Sequence, residues 1–145
     1  MQALVQRVSS AEIFINEEQY AKIQTGLLAF VCFESADVES TTDQFIKKIS
    51  EFTFFDDNRG VMASNLKEID GELMLVSQFT LAAITNKGNK PSFHKAAKTD
   101  DARLLYNQLI KKLDQSSINY QSGEFGAKMN VALVNTGPMT FSFNF

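Results

Sequence analysis

Polar side chains follow a strongly apolar run in the middle of the chain. Residues 73–76 are all apolar and are followed by Ser77, Gln78, Phe79 and Thr80. If the backbone stays extended, Gln78 and Thr80 face the same side and line one small site, whereas Ser77 and Phe79 face the other. Backbone N–H groups near Phe79 and Thr80 become donors to an oxyanion if the strand bends away from its partner. The pattern predicts a site for a reacting carbonyl, with an ordinary strand end as the alternative.

A second candidate lies near the C-terminus, where Asn135-Thr136-Gly137-Pro138 separates two apolar runs. Only about 5–6% of X-Pro bonds in folded proteins are cis, so an ordinary turn is the simpler interpretation. A cis Gly137–Pro138 bond would instead make a sharp corner with outward carbonyls and no side chain in the way. From these residues alone, both interpretations stay open.

Composition argues against several catalytic mechanisms. The chain has one histidine and one cysteine, so a structural zinc site is not expected. A Ser-His-Asp triad would need His94, which lies in a polar loop that is poorly suited to hold it rigidly. Cys32 lies within an apolar run without a basic neighbour, which predicts a buried, unreactive thiol. Counted from Asp56, a calcium loop would need glycine at the sixth position and glutamate at the twelfth, but these positions are Val61 and Lys67. We predict no metal and no cofactor.

The charge distribution bears on whether the partner is a nucleic acid. The formal net charge is -3 and the sequence pI is about 5.1. This is a weak argument against RNA, because phosphate binding favours basic surfaces. A local basic patch remains in residues 85–98, which contain no acid and carry Lys87, Lys90, Lys95 and Lys98. Such a patch is sufficient to grip the end of an RNA, and a solvated lysine-rich loop is the alternative.

Hydrophobic periodicity predicts the elements that position these residues. Alternating apolar positions within 3–15 predict a half-buried strand, with residues 20–23 as a hairpin arm. Residues 27–33 are apolar on both faces and predict a central buried strand. The other predicted elements are a helix with a capping box at 40–43, a turn at 56–60, a strand at 71–81, a loop at 85–98, a helix capped by Thr99, a loop at 122–127, and strands at 129–134 and 139–143.

These elements predict an α+β fold, with a curved, mainly antiparallel or mixed, barrel-like sheet and two principal helices packed on it. The length of 145 residues suits a single domain spanning residues 1–145. The N-terminus has the pattern of a strand, not a signal peptide, and no apolar run approaches the roughly 20 residues of a membrane span. With its single cysteine, the chain is expected to be cytoplasmic and to have no membrane partner.

Five segments, in order and at compatible spacing, resemble the signatures of D-aminoacyl-tRNA deacylases, first described as D-tyrosyl-tRNA deacylases. The likeness covers the whole chain. Met139, where valine is more usual, and an aromatic tail at Phe141, Phe143 and Phe145 depart from the pattern outside the proposed chemistry. The five segments are Val5-Gln6-Arg7-Val8, Ser77-Gln78-Phe79-Thr80-Leu81, Lys87-Gly88-Asn89-Lys90-Pro91-Ser92-Phe93, Phe125-Gly126-Ala127-Lys128-Met129 and Asn135-Thr136-Gly137-Pro138-Met139-Thr140.

The resemblance implies a hydrolase that cuts the ester joining a D-amino acid to the 3′ end of tRNA. It also implies a homodimer whose active sites lie at the subunit interface, each holding the terminal adenosine and the aminoacyl group. Residues 77–80 would surround the scissile ester. Phe125 and Met129 are candidates for the adenine pocket, and Lys87, Lys90 and Lys95 for contacts with the tRNA backbone.

The resemblance further implies how D- and L-aminoacyl groups are separated. A cis Gly137-Pro138 would enter the partner's site, where its carbonyls meet the α-amino group and crowd out an L-side chain. Arg7 would help to hold that motif in place. A main-chain filter of this kind predicts broad tolerance of D-side chains, and it predicts that glycyl-tRNA is also hydrolysed.

The mechanism and the function class keep alternatives. No base is evident beside Thr80, so we favour positioning by Thr80 and Gln78, with the terminal 2′-hydroxyl of the tRNA assisting, over Thr80 as a nucleophile. The competing functions are a non-catalytic RNA-binding module, an esterase for small acyl esters, and a structural homodimer without a ligand.

Overall fold

The computed structural model describes residues 1–86 and 88–145, and its main feature is one curved, nearly closed mixed sheet with two helices. This confirms the α+β prediction. The strands are β1 (Gln2–Ile15), β2 (Glu18–Ile23), β3 (Gly26–Cys32), β4 (Phe55–Asp57), β5 (Gly60–Ser64), β6 (Glu72–Ser77), β7 (Asn119–Ser122) and β8 (Asn130–Asn144). The helices are α1 (Glu39–Glu51) and α2 (Thr99–Asp114), and a short 3-10 helix covers Phe79–Ala82.

The long strand β1 organises the sheet because it pairs antiparallel with three other strands. Its first half pairs with β3 and its second half with β2. Along the opposite edge it pairs with β8 through most of its length. The register with β8 shifts on both sides of Val8, which matches Asn135, whereas Gln6 matches Thr140. Residues 136–139 therefore bulge out of the ladder opposite Arg7.

Strands β3 and β6 lie side by side in parallel and are apolar on both faces, as the sequence predicts for residues 27–33. Alternate side chains of these strands enter two separate cores. Leu27 and Leu73 join the core beneath α1 and α2, whereas Leu28 and Met74 join the core that lines the other face. The two strands are thus fixed from both sides, and their carboxyl ends are held at a constant separation.

Both helices begin elsewhere than predicted. The start of α1 is Glu39, with Val38 as the N-cap, so the predicted capping box at residues 40–43 is displaced. The reciprocal contact is instead a hydrogen bond from the Val38 N–H to Thr41 Oγ1 at 3.2 Å. Thr99 is the first residue of α2 and not its cap, which is Lys98. The helix buries one apolar face, which includes Leu105, Leu109 and Leu113.

The C-terminal region differs most from the sequence prediction. Residues 129–134 and 139–143 are not two strands joined by a turn but parts of the single strand β8. The chain does not reverse at Pro138, because both halves run antiparallel to the same strand, β1. A proline has no N–H to donate to a ladder, and a bulge is one of the few places where a strand accepts it. Residues 119–122, which have no apolar pattern, form the additional strand β7 beside β6.

Phenylalanine rings fill the space between β8, α1 and the segment before β4. Phe54 packs against Phe141 with 5.8 Å between ring centroids and against Phe143 with 6.2 Å, both edge to face. Phe52 contacts the same two rings at 5.3 and 5.5 Å. Edge-to-face pairs of this kind stabilise a core by about 0.5–1.5 kcal/mol beyond the burial of their surface. The aromatic tail is therefore a packing element.

In the part of the chain that the structure describes, the helices are too short or too polar to cross a membrane.

Candidate active site

A cavity of about 560 Å³ opens at the carboxyl ends of β3 and β6. The strand ends contribute Cys32, Ser77 and Gln78, and the 3-10 helix contributes Phe79. Residues 96–99 form one opposite wall, and residues 125–127 with Met129 form the other. The structure thus brings together two groups of predicted site residues, the strand end at 77–79 and the pair Phe125 and Met129, which are far apart in the sequence.

Strand β6 ends earlier than the predicted strand at 71–81, because the chain turns at Ser77. The Gln78 N–H makes one last bond to the sheet, to the Val31 carbonyl at 2.7 Å, and the 3-10 helix begins at Phe79. Gln78 and Thr80 nevertheless meet, since Gln78 Nε2 donates to Thr80 Oγ1 at 2.5 Å. Thr80 itself is exposed and does not line the cavity. The Gln78 amide therefore links Thr80 to the cavity wall.

The turn also leaves two backbone donors at the start of the 3-10 helix. The first N–H groups of a helix have no preceding helical carbonyl to bond. The N–H groups of Phe79 and Thr80 occupy this position, and neither bonds to another described residue. According to the sequence prediction, these groups act as oxyanion donors only if the strand bends away from its partner. The structure has such a bend, and their catalytic role stays a prediction.

Cys32 lies in the cavity wall and confirms the prediction of a buried thiol. Its Sγ is 3.4 Å from the Phe79 carbonyl oxygen and 3.5 Å from that of Phe33. Burial raises the pKa of the Cys32 thiol above its ordinary value, which favours the protonated form at neutral pH. The thiol is thus a poor nucleophile here, although the sequence did not place it at the site.

The far wall of the cavity contains the two residues that are predicted to bind adenine. Phe125 and Met129 both line the cavity. The Phe125 ring packs against Tyr106, with 5.4 Å between ring centroids. The guanidinium of Arg103, a residue of α2, lies 4.8 Å from the centroid of the Phe125 ring. Tyr106 is fixed in turn, since its hydroxyl donates to the Gly123 carbonyl at 3.1 Å. The ring is therefore held in place by neighbours, and Arg103 is a positive charge near the cavity that the sequence did not single out.

The basic loop contributes the remaining side of the cavity. Phe93 packs on Phe79 with 5.0 Å between ring centroids, and Lys98 lines the cavity just before α2. Lys90 and Lys95 are exposed, and Lys87 lies outside the described residues. His94 is also exposed and contacts Ser92 Oγ through Nδ1 at 2.9 Å. Phe93 was missed because its role depends on a contact with Phe79 that has no local signal.

The C-terminal candidate forms a separate corner, which we call the 136–138 corner. The Gly137–Pro138 peptide bond is cis, and Gly137 has a φ of 128°. Asn135 closes the corner from inside: its Oδ1 accepts the Met139 N–H at 2.8 Å and its Nδ2 donates to the Met139 carbonyl at 3.2 Å. Arg7 Nε donates to the Thr136 carbonyl at 3.0 Å. The corner does not line the cavity of its own chain.

The cavity has little acid–base chemistry of its own. Among the described residues that line it, Cys32 and Lys98 are the titratable ones, and the lining includes no histidine, aspartate or glutamate. Within residues 1–86 and 88–145, no group of three or more His, Cys, Asp or Glu side chains is arranged to hold a metal ion. The arrangement can therefore bind, orient and polarise a substrate that is already activated.

Comparison with known proteins agrees with this geometry. The model of the D-Tyr-tRNA(Tyr) deacylase family matches residues 4–144. A D-aminoacyl-tRNA deacylase of Finegoldia magna is 44% identical over 140 residues, which cover 97% of this chain and 95% of the relative. A D-aminoacyl-tRNA deacylase of Pseudoalteromonas translucida is 42% identical over 142 residues, with 98% of each chain covered.

Solved structures give the same fold. A structure described as c-Myc DNA unwinding element binding protein has a TM-score of 0.93 and 32% identity, covering 100% of this chain and 99% of that one. A second, described as a probable eukaryotic D-amino acid tRNA deacylase, has a TM-score of 0.85 at 15% identity and supports the fold alone. With the family model matching nearly its full length, this chain belongs to the D-aminoacyl-tRNA deacylase family of hydrolases.

Proposed function

We propose that this protein hydrolyses the ester of D-aminoacyl-tRNA, with the cavity holding the terminal adenosine and the aminoacyl group. The observation that carries the proposal is the convergence of residues 77–79 with Phe125 and Met129 on one cavity of about 560 Å³. Its volume lies within the 300–1,000 Å³ typical of small-molecule sites. The adenine lies against Phe125 and Met129, and the ester carbonyl lies at the end of β6.

The chemistry requires polarisation of the carbonyl more than acid–base catalysis. An aminoacyl ester is activated, and a single preorganised oxyanion donor typically lowers the barrier by about 2.7–4 kcal/mol. The N–H groups of Phe79 and Thr80 supply such donors in our proposal. Gln78 and Thr80, joined by their hydrogen bond, position the ester, and Ser77 completes the wall beside it. The terminal 2′-hydroxyl of the tRNA assists the attack, which suits a cavity without a general base.

Stereochemical selection belongs to the 136–138 corner in this proposal. Pocket fit alone discriminates at the scale of about 1–3 kcal/mol, whereas a clash with main chain can exceed this and needs no side-chain recognition. Arg7 and Asn135 hold the corner, so its carbonyls are preorganised. Because the corner does not line the cavity of its own chain, we propose that it enters the cavity of a second copy in a homodimer. Sedimentation of the purified protein checks the dimer.

The basic loop supplies contacts for the tRNA backbone. Lys90 and Lys95 are exposed beside the cavity wall that contains Phe93 and Lys98, and Lys87 belongs to the same sequence stretch. Backbone phosphates need charge more than exact geometry, so exposed lysines suffice. We place the activity in the cytoplasm, where aminoacyl-tRNA is used in translation.

The decisive experiment compares the deacylation of matched D- and L-tyrosyl-tRNA by the purified protein, with glycyl-tRNA as a third substrate. We expect rapid hydrolysis of the D-ester, slow hydrolysis of the L-ester and clear hydrolysis of the glycyl ester, because glycine has no side chain for the corner to reject. Tyrosine ethyl ester serves as a control for a general esterase.

Three outcomes would count against the proposal. Binding of D-tyrosyl-tRNA without turnover would favour an RNA-binding module. Hydrolysis of the ethyl ester at a rate similar to that of the tRNA ester would favour a small-ester esterase. Complete resistance of glycyl-tRNA, with the D-ester hydrolysed, would contradict the main-chain filter while leaving the deacylase activity intact.

A further inference from the structure

Arg7 joins three segments that are distant in the sequence. Its Nε donates to the Thr136 carbonyl at 3.0 Å, and its Nη1 donates to the Phe54 carbonyl at 3.0 Å. The same Nη1 lies 3.3 Å from Asp56 Oδ2. The Arg7 side chain is only 10% exposed. A guanidinium so shielded from water depends on protein acceptors for its donors and on a carboxylate for its charge.

Asp56 supplies that carboxylate. In the described part of the chain, it is the one carboxylate within 4.0 Å of the Arg7 guanidinium. Its second oxygen is occupied, since Oδ1 accepts the Met62 N–H at 2.8 Å across the β4–β5 hairpin. The Met62 hydrogen bond and the nearby Arg7 charge lower the pKa of Asp56, so this carboxylate is ionised at neutral pH. One oxygen of Asp56 thus contacts Arg7 and the other contacts the hairpin, so that Asp56 connects the two.

The hairpin that carries Asp56 is itself braced. Arg59 Nη2 donates to the Ala63 carbonyl at 2.7 Å and to Glu68 Oε1 at 3.2 Å, and it pairs with Asp57 Oδ2 at 2.6 Å. Asp57 also accepts a short hydrogen bond from the Ser64 hydroxyl. Asp56 is therefore fixed relative to β4 and β5, and it provides a stationary reference for the Arg7 guanidinium.

The geometry of guanidinium turns this anchor into a constraint on the 136–138 corner. The group is planar and rigid, so fixing Nη1 fixes the directions of Nε and Nη2. Nε faces the Thr136 carbonyl, and Nη2 lies so near Gly137 that a Cβ added there would be 2.9 Å away. An ionised acceptor holds a donor more strongly than a neutral one. Loss of the Asp56 charge therefore makes the Arg7 guanidinium, against which the 136–138 corner packs, more mobile.

We propose that Asp56, acting through Arg7, is a positioning residue that sets the placement of the 136–138 corner and thereby sharpens the discrimination between D- and L-aminoacyl groups. The inference rests on the proposed function for its kinetic consequence. The structural part of the inference, which is the coupling of the Asp56 charge to the corner, does not depend on the proposed function. The effect is selective, because Asp56 lies outside the cavity wall that holds the ester.

The test compares Asp56→Asn with the matched control Asp43→Asn. Asp43 also loses an ion pair, with Lys112 Nζ at 2.7 Å, but it lies on α1, away from Arg7. We expect Asp56→Asn to lower the D-to-L ratio of kcat/KM for tyrosyl-tRNA about 2–5-fold, the range that corresponds to a partly exposed ion pair. The fall should come mainly from faster hydrolysis of the L-ester. Asp43→Asn should leave the ratio unchanged.

A double-mutant cycle checks that the effect passes through Arg7. In an Arg7→Ala background, Asp56→Asn should lower the ratio no further, because the connecting group has gone. Hydrogen exchange of the Met139 amide, which bonds to Asn135 inside the corner, should accelerate in Asp56→Asn and not in Asp43→Asn. This readout needs neither substrate nor activity.

The proposal is overturned if Asp56→Asn changes neither the ratio nor the Met139 exchange, if Asp43→Asn has an equal effect, or if the effect of Asp56→Asn persists in the Arg7→Ala background. A wild-type protein that hydrolyses neither ester would contradict the proposed function and the kinetic part of this inference. In that case, the exchange measurement still decides whether Asp56 positions the corner.

Discussion

The 136–138 corner and the basic loop at 85–98 are both exposed irregular segments, but they are held in different ways. The corner is enclosed by Arg7 and by the Asn135 side chain, which bonds both the N–H and the carbonyl of Met139. The loop is attached near its ends, where Ile84 and Ser92 exchange backbone hydrogen bonds of 2.8 and 3.1 Å and the Ala97 N–H reaches the Phe33 carbonyl at 2.9 Å. Lys90 and Lys95 of this loop are exposed.

In the proposed function, the difference corresponds to two kinds of recognition. Rejecting one hand of an amino acid requires a group that stays in place when the wrong substrate presses on it, and the corner is held on both sides, by Arg7 at the Thr136 carbonyl and by Asn135 at Met139. Binding phosphate depends on the number of charges near the strand and tolerates their motion. In the corner, a single added methyl group should lower the D-to-L ratio of kcat/KM. In the loop, even the loss of a whole side chain should change the kinetics only slightly.

The largest expected effect is that of Gly137→Ala. The new Cβ would lie 2.9 Å from Arg7 Nη2 and 3.2 Å from the Met139 nitrogen, at a φ of 128° that residues with side chains rarely adopt. Arg7 must then move, and the corner with it. We expect the D-to-L ratio of kcat/KM to fall to the roughly 10–200-fold that pocket fit alone supplies. Deacylation of matched D- and L-tyrosyl-tRNA measures it.

Gly88→Ala is the matched control in the loop. Gly88 has a φ of 71°, and an added Cβ there would meet nothing within 4 Å. Both substitutions place a side chain on a residue with positive φ, but Gly88 is remote from Arg7. The D-to-L ratio should therefore be unchanged in Gly88→Ala. If both substitutions lower the ratio equally, selection does not depend on how the corner is held.

An intermediate effect is expected for Thr80→Ala. The substitution removes the hydroxyl that accepts the Gln78 amide hydrogen bond, which leaves the amide free to rotate. A hydrogen bond of this type is typically worth about 0.5–1.5 kcal/mol, so kcat should fall about 2–13-fold and not to zero. Thr80→Ser keeps the hydroxyl and should retain most of the rate. Detection of an acyl ester on Thr80 by mass spectrometry would show instead that the residue is a nucleophile.

The smallest effect is expected for Lys90→Ala and Lys95→Ala. Each removes one exposed positive charge, so KM should rise similarly for every aminoacyl-tRNA while kcat and the D-to-L ratio stay constant. Removing one lysine that binds a phosphate should reduce the slope of log affinity against log salt by about 1. Lys111→Ala, an exposed lysine in the last turn of α2, is the control and should leave the slope unchanged. A changed D-to-L ratio in either loop variant would contradict the claim that selectivity depends on the corner and not on the loop.

The sequence predicts best those parts of the molecule whose structure depends on local pattern. Strand β3 is apolar on both faces, and α2 has its apolar residues at helical spacing, so both could be recognised from a few neighbouring positions. Residues 119–122 were missed because a polar segment becomes a strand only through pairing with β6. Residues 77–80 could be singled out as candidates because their polarity contrasts with the apolar run before them.

The corner shows the limit of this approach. A proline between two apolar runs is typical of a chain reversal, and only the pairing of both halves with β1 makes them one strand. The bulge opposite Arg7, the Phe93 contact with Phe79 and the Asp56 contact with Arg7 likewise join residues that are distant in sequence. Their positions depend on which distant segments come together in the fold, and the pattern within one segment does not specify this.

The pairing of β1 with β8 also determines when the corner can form during synthesis. Arg7 and Thr136 are separated by 129 positions, so their hydrogen bond cannot form while the C-terminal strand is still inside the ribosome. A nascent chain that already contains residues 77–80 has neither the corner nor a partner for the open edge of β1, and such edges favour association with other chains. The corner and the covered edge of β1 therefore form together, after β8 has been synthesised.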